Sequence, residues 1–196
     1  AVGASGFIFA SGGPAYGKAD STHYSAFADF CCWLCTELKP LGMTALLEPF
    51  DWTIDKKYLY GPTSKCVDLI ESLRLEVDNL AIELDVAHLP LMGESFKDAI
   101  QTAAPYLKRV HLGNCILKDK KHPLYGDMHP PIGYPGGEID VPEITLILSE
   151  LKAIGYLDQK NRGDLVIEMI PWPGKSVEET IKDNFIRLEE AWRNVE

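Results

Sequence analysis

The sequence predicts a parallel α/β protein built from repeated strand–helix units, either a (β/α)8 barrel or an open doubly wound sheet. Three observations point there. Five short, nearly continuous apolar runs alternate with amphipathic stretches of helical period. Such runs suit strands buried on both faces, as in parallel sheets covered by helices. The runs also end in acids or carry imidazoles, and parallel α/β folds keep their active sites at the C-terminal edge of the sheet. No linker or break in composition divides the chain, so residues 1–196 read as one domain.

The elements follow in order. The first strand is Gly6 to Ala10, followed by turn glycines Gly12 and Gly13. A helix runs from about His23 to Leu41 and stops at Gly42. The second strand is Thr44 to Glu48, and Thr63 or Ser64 caps a helix with Val67, Ile70 and Leu73 on one face. The third strand is Leu80 to Asp85, and Ser95 opens a short helix. The fourth is Arg109 to Leu112, and a Pro/Gly-rich loop covers roughly 114–140. Pro142 lies in the first turn of the next helix, which ends at Gly155. The fifth strand is Leu165 to Met169. Ser176 and Glu179 form a capping box for a last helix that turns Val177, Ile181, Phe185, Leu188 and Trp192 toward the core.

Composition narrows the functional classes. Lys plus Arg total 19 against 29 Asp plus Glu, a net charge of −10. That balance disfavours a nucleic-acid groove, which needs clustered cations for the phosphates. No apolar run approaches the ~18 residues of a membrane span. The five cysteines are odd in number, which argues against a disulfide framework and for the cytoplasm. Cys32 and Cys35 have C-x-x-C spacing but sit in a helical apolar pattern, so they read as packing residues. No G-x-G-x-x-G follows the first strand, leaving a dinucleotide site without support.

The chemistry concentrates at the strand ends. Glu48 ends the second strand and Asp85 the third, with His88 three residues on; His111 lies in the fourth and Glu168 in the fifth. An unpaired buried carboxylate is costly unless it is hydrogen-bonded, neutralised or bound to a metal. Two Glu, one Asp and one His make an oxygen/nitrogen donor set suited to one divalent ion, Mn²⁺, Mg²⁺, Co²⁺ or Zn²⁺. In the long loop, Asp127 and His129 stand two apart and share a face of an extended segment, so both can reach one ion or ligand. Trp52, Trp172 and Phe50 follow closely on these strands, where aromatic rings can pack on the apolar face of a bound ligand.

The series Leu47-Glu48-Pro49, Asp85-Val86-Ala87-His88, Val110-His111-Leu112, Asp127-Met128-His129, Pro135 to Asp140 and Val166-Ile167-Glu168 resembles the xylose isomerase-like TIM-barrel superfamily of sugar phosphate isomerases and epimerases. The resemblance to its ketose 3-epimerases implies metal ligands at Glu48, Asp85, His111 and Glu168. It also implies substrate contacts from His88 and from a basic residue after His111, for which Lys118 is the candidate, and homo-dimers or tetramers. AP endonucleases of the same superfamily hold three zinc ions, with extra ligands matching His88, Asp127 and His129. They also need a His after the first strand, where this chain has Ala10-Ser11-Gly12-Gly13.

The expected activity is metal-dependent isomerisation or epimerisation of a free sugar or polyol-derived ketone. Glu48 and Glu168 would move a proton beside the carbonyl through a cis-enediolate, and Asp127, His129, Trp52 and Trp172 would contact the substrate. The alternatives are an AP-endonuclease-like zinc phosphodiesterase, an inosose dehydratase-like lyase, and a sugar-binding barrel without catalysis. A closed barrel needs eight strands and about 250 residues. By the resemblance, the five units here match strands four to eight, so the chain is expected to be the C-terminal portion of a barrel.

Overall fold

The structure is a computed structural model and describes residues 3–13 and 18–195. It contains five strands, β1 (Gly6–Phe9), β2 (Thr44–Leu47), β3 (Leu80–Asp85), β4 (Leu107–Leu112) and β5 (Asp164–Ile167). Between and after them come α1 (Ser21–Leu38), α2 (Thr63–Leu73), α3 (His88–Met92), α4 (Phe96–Ala103), α5 (Val141–Ala153) and α6 (Val177–Arg193). All strand pairs are parallel, and the spatial order β1-β2-β3-β4-β5 is the order in the chain. That order belongs to a barrel wall, whereas a doubly wound sheet reverses direction part-way. The sheet is a curled, partial (β/α)8 barrel. Among the described residues β1 and β5 each pair on one side only.

Alternation along the strands sorts their side chains. Leu80, Ile82 and Leu84 of β3 join the core under the helices, while Glu83 and Asp85 lie on the opposite, inward face and are also buried. A register shift at Ile82/Glu83 passes over Lys108, so that Asp85 stands opposite His111. His111 in turn pairs with Val166, two residues before Glu168. The bulge therefore sets the strand-end donors level with one another.

Most element ends match their local chemistry. Asp20 and His23 form a capping box on α1, Gly42 stops the helical segment at φ 68°, and Ser176 with Glu179 caps α6. At α2 the helix starts at Thr63, but a distant side chain supplies the cap: Glu94 accepts the Thr63 N–H at 2.9 Å and its hydroxyl at 2.6 Å. Cys31 and Cys35 are buried on the packing face of α1. The C-terminal helix departs from expectation. Val177, Ile181, Phe185 and Trp192 are exposed; α6 buries Thr180, Asn184 and Ala191 instead, with Leu188 packed at the edge of the core. Periodicity identifies an apolar face but not what covers it, and here α6 packs mainly on α5. No described helix is long and apolar enough to cross a membrane.

The long loop after β4 is built around two buried amides. Asn114 Oδ1 accepts the backbone N–H groups of Cys115, Glu138 and Ile139 at 2.9–3.0 Å, and Nδ2 donates to Pro131 O. Asn184 of α6 accepts the Ile132 N–H at 2.9 Å, and Arg187 pairs with Asp140 at 2.6 Å. Asn114→Leu leaves the buried Cys115 and Ile139 N–H groups without their acceptor, while Glu138 N–H keeps Cys115 O at 2.9 Å. At about 1–3 kcal/mol per unsatisfied group, it should lower stability by about 3 kcal/mol in chemical denaturation; a loss below about 0.5 kcal/mol would show that the loop is held by other contacts.

Candidate metal centre

The C-terminal edge of the sheet gathers ionisable groups from four strands and one loop. Asp85, His111 and Glu168 each bring one donor atom into a set lying within 4.8 Å of one another. His111 Nδ1 is 2.7 Å from Glu168 Oε2 and 4.0 Å from Asp85 Oδ2. A second set of the same kind consists of Asp85, His88 and His129. Asp85 is shared, so the two sets form one continuous cluster.

His88 opens α3 immediately after β3 and is 1% exposed. Its Nδ1 lies 3.0 Å from Pro49 O, and the Phe50 ring packs against it at 4.2 Å between centroids. Donation from Nδ1 to Pro49 O would leave Nε2 as the donor atom facing a bound cation, an arrangement common among metal-binding imidazoles. Asp127 Oδ1 lies 3.2 Å from His88 Nε2 and 2.8 Å from His129 Nε2. Asp127 and His129 both reach the cluster, though not from an extended segment. His129 takes the left-handed conformation, φ 46°, and its carbonyl accepts the Ile170 N–H at 2.8 Å.

The other expected residues are placed differently. Glu48 lies outside the Asp85–His111–Glu168 set; its Oε1 is 3.5 Å from His88 Nδ1. Lys118 is 72% exposed and pairs with Glu138 at 3.2 Å, so the structure does not bring it to the cluster. Trp172 packs against Tyr134 at 5.2 Å and under the Lys175 ammonium at 4.7 Å, and Trp52 is partly exposed in the loop after β2.

Sequence reasoning missed four contributors. Glu83 is fully buried on the inward face of β3, two residues before Asp85. The period-two spacing contained that signal, but attention to strand ends passed over it. Gly113 lies where an added Cβ would fall 2.7 Å from His129 Nδ1 and 3.0 Å from Asp85 Oδ1, so only glycine lets these groups close up. Asp51 is 1% exposed and accepts the N–H groups of Thr53, Ile54, Asp55 and Lys56 at 2.6–3.2 Å. The loop it organises presents Lys56, whose Nζ is 3.4 Å from Asp127 Oδ2. Nothing in local sequence marks these last contacts, because they join residues about 70 positions apart.

The cluster's charges are strongly perturbed. Burial pushes the Glu48 carboxyl up to about 7, with repulsion from Asp85 and Glu168 set against attraction to His88 and His111. Burial, then the Glu48 and Asp85 carboxylates, drives Glu83 well above the usual carboxylate range. Burial also raises Asp85, against the pull of His88 and His129. For His88 burial favours the neutral ring, but Asp127, Asp85 and Glu48 prevail and lift it to about 9. Burial opposes ionisation of Asp127 too, yet His129 and His88 hold it well below its ordinary value. The hydrogen bond from His111 holds Glu168 low.

The donor chemistry fits a divalent ion. Five buried atoms of the cluster, Glu83 Oε2, Asp85 Oδ2, His88 Nε2, Asp127 Oδ1 and His129 Nδ1, lack a hydrogen bond of good geometry among the described residues. Buried polar atoms are normally satisfied, so an orphaned group of acids and imidazoles calls for a further partner. The short Asp127 contacts to both imidazoles are close in distance but poorly angled for hydrogen bonds.

Solved structures share this architecture. A xylose isomerase domain protein from Planctomyces limnophilus superposes with TM-score 0.70 at 20% identity over 99% of this chain and 60% of its own. A D-tagatose 3-epimerase-like protein does so with TM-score 0.71 at 19% identity, over 97% of this chain and 63% of its own. The fold is that of the xylose isomerase-like TIM barrels. An AP endonuclease of family 2 from Brucella melitensis shares this xylose isomerase-like fold, with TM-score 0.58 and 21% identity over 85% of this chain and 55% of its own. The chain thus spans roughly six-tenths of the length of these xylose isomerase-like proteins. No protein-family model and no curated protein sequence matches it.

If the cluster holds a cation, Mn²⁺ at a hundredfold excess over its Kd should stabilise the protein by about 2.7 kcal/mol. Asp85→Asn, which alters a donor shared by both sets, should remove most of that gain in thermal unfolding. A melting temperature indifferent to Mn²⁺, Mg²⁺, Co²⁺ and Zn²⁺ would exclude the cation site.

Proposed function

We propose that this chain carries the metal-dependent active centre of a sugar isomerase or epimerase acting on a free sugar or polyol-derived ketone. One observation carries the reading. Glu48 follows β2 and Glu168 follows β5, the two ends of a four-strand run, with Asp85 and His111 between them. Two carboxylates flanking a donor set suit removal and return of a proton on a carbon beside a carbonyl. The epimerase fold of the D-tagatose 3-epimerase-like neighbour supports the same class.

Asp85, His111 and Glu168 would hold one Mn²⁺, Mg²⁺, Co²⁺ or Zn²⁺, with Glu48 at its edge. When bound, the ion supplies Lewis-acid polarisation of a carbonyl. Glu48, raised to about 7, has the proton affinity suited to a general base near neutrality. Glu168 is partly exposed and ionised, and would serve the opposite face of the substrate carbon as it passes through a cis-enediolate. His88, fixed by Pro49 and Phe50, and His129 would orient hydroxyls; Asp127 would keep both imidazoles in place. The unpaired state of all five cysteines supports a reducing compartment such as the cytoplasm. Any dimer or tetramer would be of the same chain.

A zinc phosphodiesterase is the second reading, favoured by the Asp85–His88–His129 set, which suits additional ions. Metal analysis separates the two: one tightly held ion supports the isomerase, three zinc ions the phosphodiesterase. In heavy water, Glu168→Gln should slow exchange of a ketose's α-proton by at least about 100-fold, the usual scale of acid–base catalysis, with circular dichroism unchanged. Absence of exchange by the metal-loaded parent protein with every ketose of a broad panel would overturn the isomerase reading.

A further inference from the structure

Glu83 belongs to the metal centre, we propose, as a positioning residue: it braces His111 from beneath and adds a charge that draws the cation to the Asp85–His111–Glu168 donors. The inference rests on the metal reading above and concerns a residue that no donor set includes.

Four observations support it. Glu83 is 0% exposed on the inward face of β3, one layer below Asp85. Its Oε1 lies 3.2 Å from the His111 backbone nitrogen, which donates to it, and 3.6 Å from Nδ1 of the same residue. The contact crosses the β3–β4 bulge, where the register shift lies between Ile82 and Glu83. The other oxygen, Oε2, is buried without a hydrogen-bond partner among the described residues and shares its surroundings with Glu48, Asp85 and Glu168.

A purely structural role accounts poorly for these facts. One backbone N–H could be satisfied by a neutral amide, without burying a fourth acid among three others. An unpartnered buried carboxylate is a liability that an apolar residue, such as the flanking Ile82 and Leu84, would avoid. A divalent ion held by Asp85, His111 and Glu168 would reverse the balance. Interactions are strong where water is excluded, so a nearby carboxylate then favours the cation even without touching it. The hydrogen bond to the His111 backbone ties that charge to a donor residue, the usual work of outer partners at metal sites.

Two variants of the full chain separate charge from bracing. Glu83→Gln keeps an oxygen for the His111 N–H and removes the charge; Glu83→Met removes both. The probes are Mn²⁺ by titration calorimetry and Co²⁺ by its visible spectrum, which reports donor geometry independently of activity. Glu83→Gln should weaken Mn²⁺ binding by about 10–100-fold, the scale for outer-partner losses, and leave the Co²⁺ spectrum close to the parent's. Glu83→Met should weaken binding at least as much and change the spectrum. Should Glu83→Met fail to fold, the isosteric Glu83→Gln decides through its Mn²⁺ affinity. Parent-like affinity in Glu83→Gln would overturn the charge role, and a parent-like spectrum in folded Glu83→Met would overturn the bracing. A parent protein that binds neither ion would overturn the metal reading itself, a result distinct from either variant outcome.

Discussion

The electrostatic cost of gathering five carboxylates at one end of a parallel sheet shapes this half-barrel. Glu48, Glu83, Asp85, Asp127 and Glu168 all lie in the cluster, and three of them, Glu83, Asp85 and Asp127, are buried. Like charges in a dry site repel strongly, so the fold must supply protons, imidazoles, ammonium groups or a cation. His88, His111 and His129 interleave with the acids, and Lys56 closes the outer side of Asp127. The responses of the individual acids follow from position. Glu48 and Glu83 shift upward because burial dominates, while Asp127 and Glu168 stay ionised because imidazoles touch them.

Holding such a cluster together requires rigid loops, and these loops are built from the inside. Asn114 and Asn184 satisfy backbone groups of the segment after β4, and Asp51 does the same for the segment after β2. Each uses a buried polar side chain in place of secondary structure to settle main-chain donors. The braced loops bring Asp127 and His129 against the strand-end groups and Lys56 against Asp127. Gly113 completes the arrangement by leaving room where any side chain would collide with His129 and Asp85.

Strands, helices and most of the site acids were legible in the sequence because they follow local rules. Apolar runs of strand length marked β1 to β5, Pro142 and Ser176 marked the starts of α5 and α6, and Gly42 stopped the helical segment before β2. Apart from Glu83 and Asp51, what escaped was non-local. The cap of α2 comes from Glu94, about 30 residues away. The apolar stripe of α6 reads as a core face, yet most of it is exposed, because the helix packs on α5 and buries Thr180, Asn184 and Ala191 instead. Lys118 had the right charge and neighbourhood in sequence but turns to Glu138 at the surface.

By itself, the sequence determined the α/β class, the barrel-type repeat and the presence of acids and imidazoles at the C-terminal edge, because periodicity and strand-end identity depend on neighbours only a few residues apart. Tertiary structure alone decided which of those groups meet. A one-residue bulge between β3 and β4 brings His111 level with Asp85 and onto the Glu83 carboxylate, and a left-handed turn carries His129 to Asp127. Pairing register and loop closure join residues dozens of positions apart, so whether these charges assemble depends on distances that no local pattern encodes.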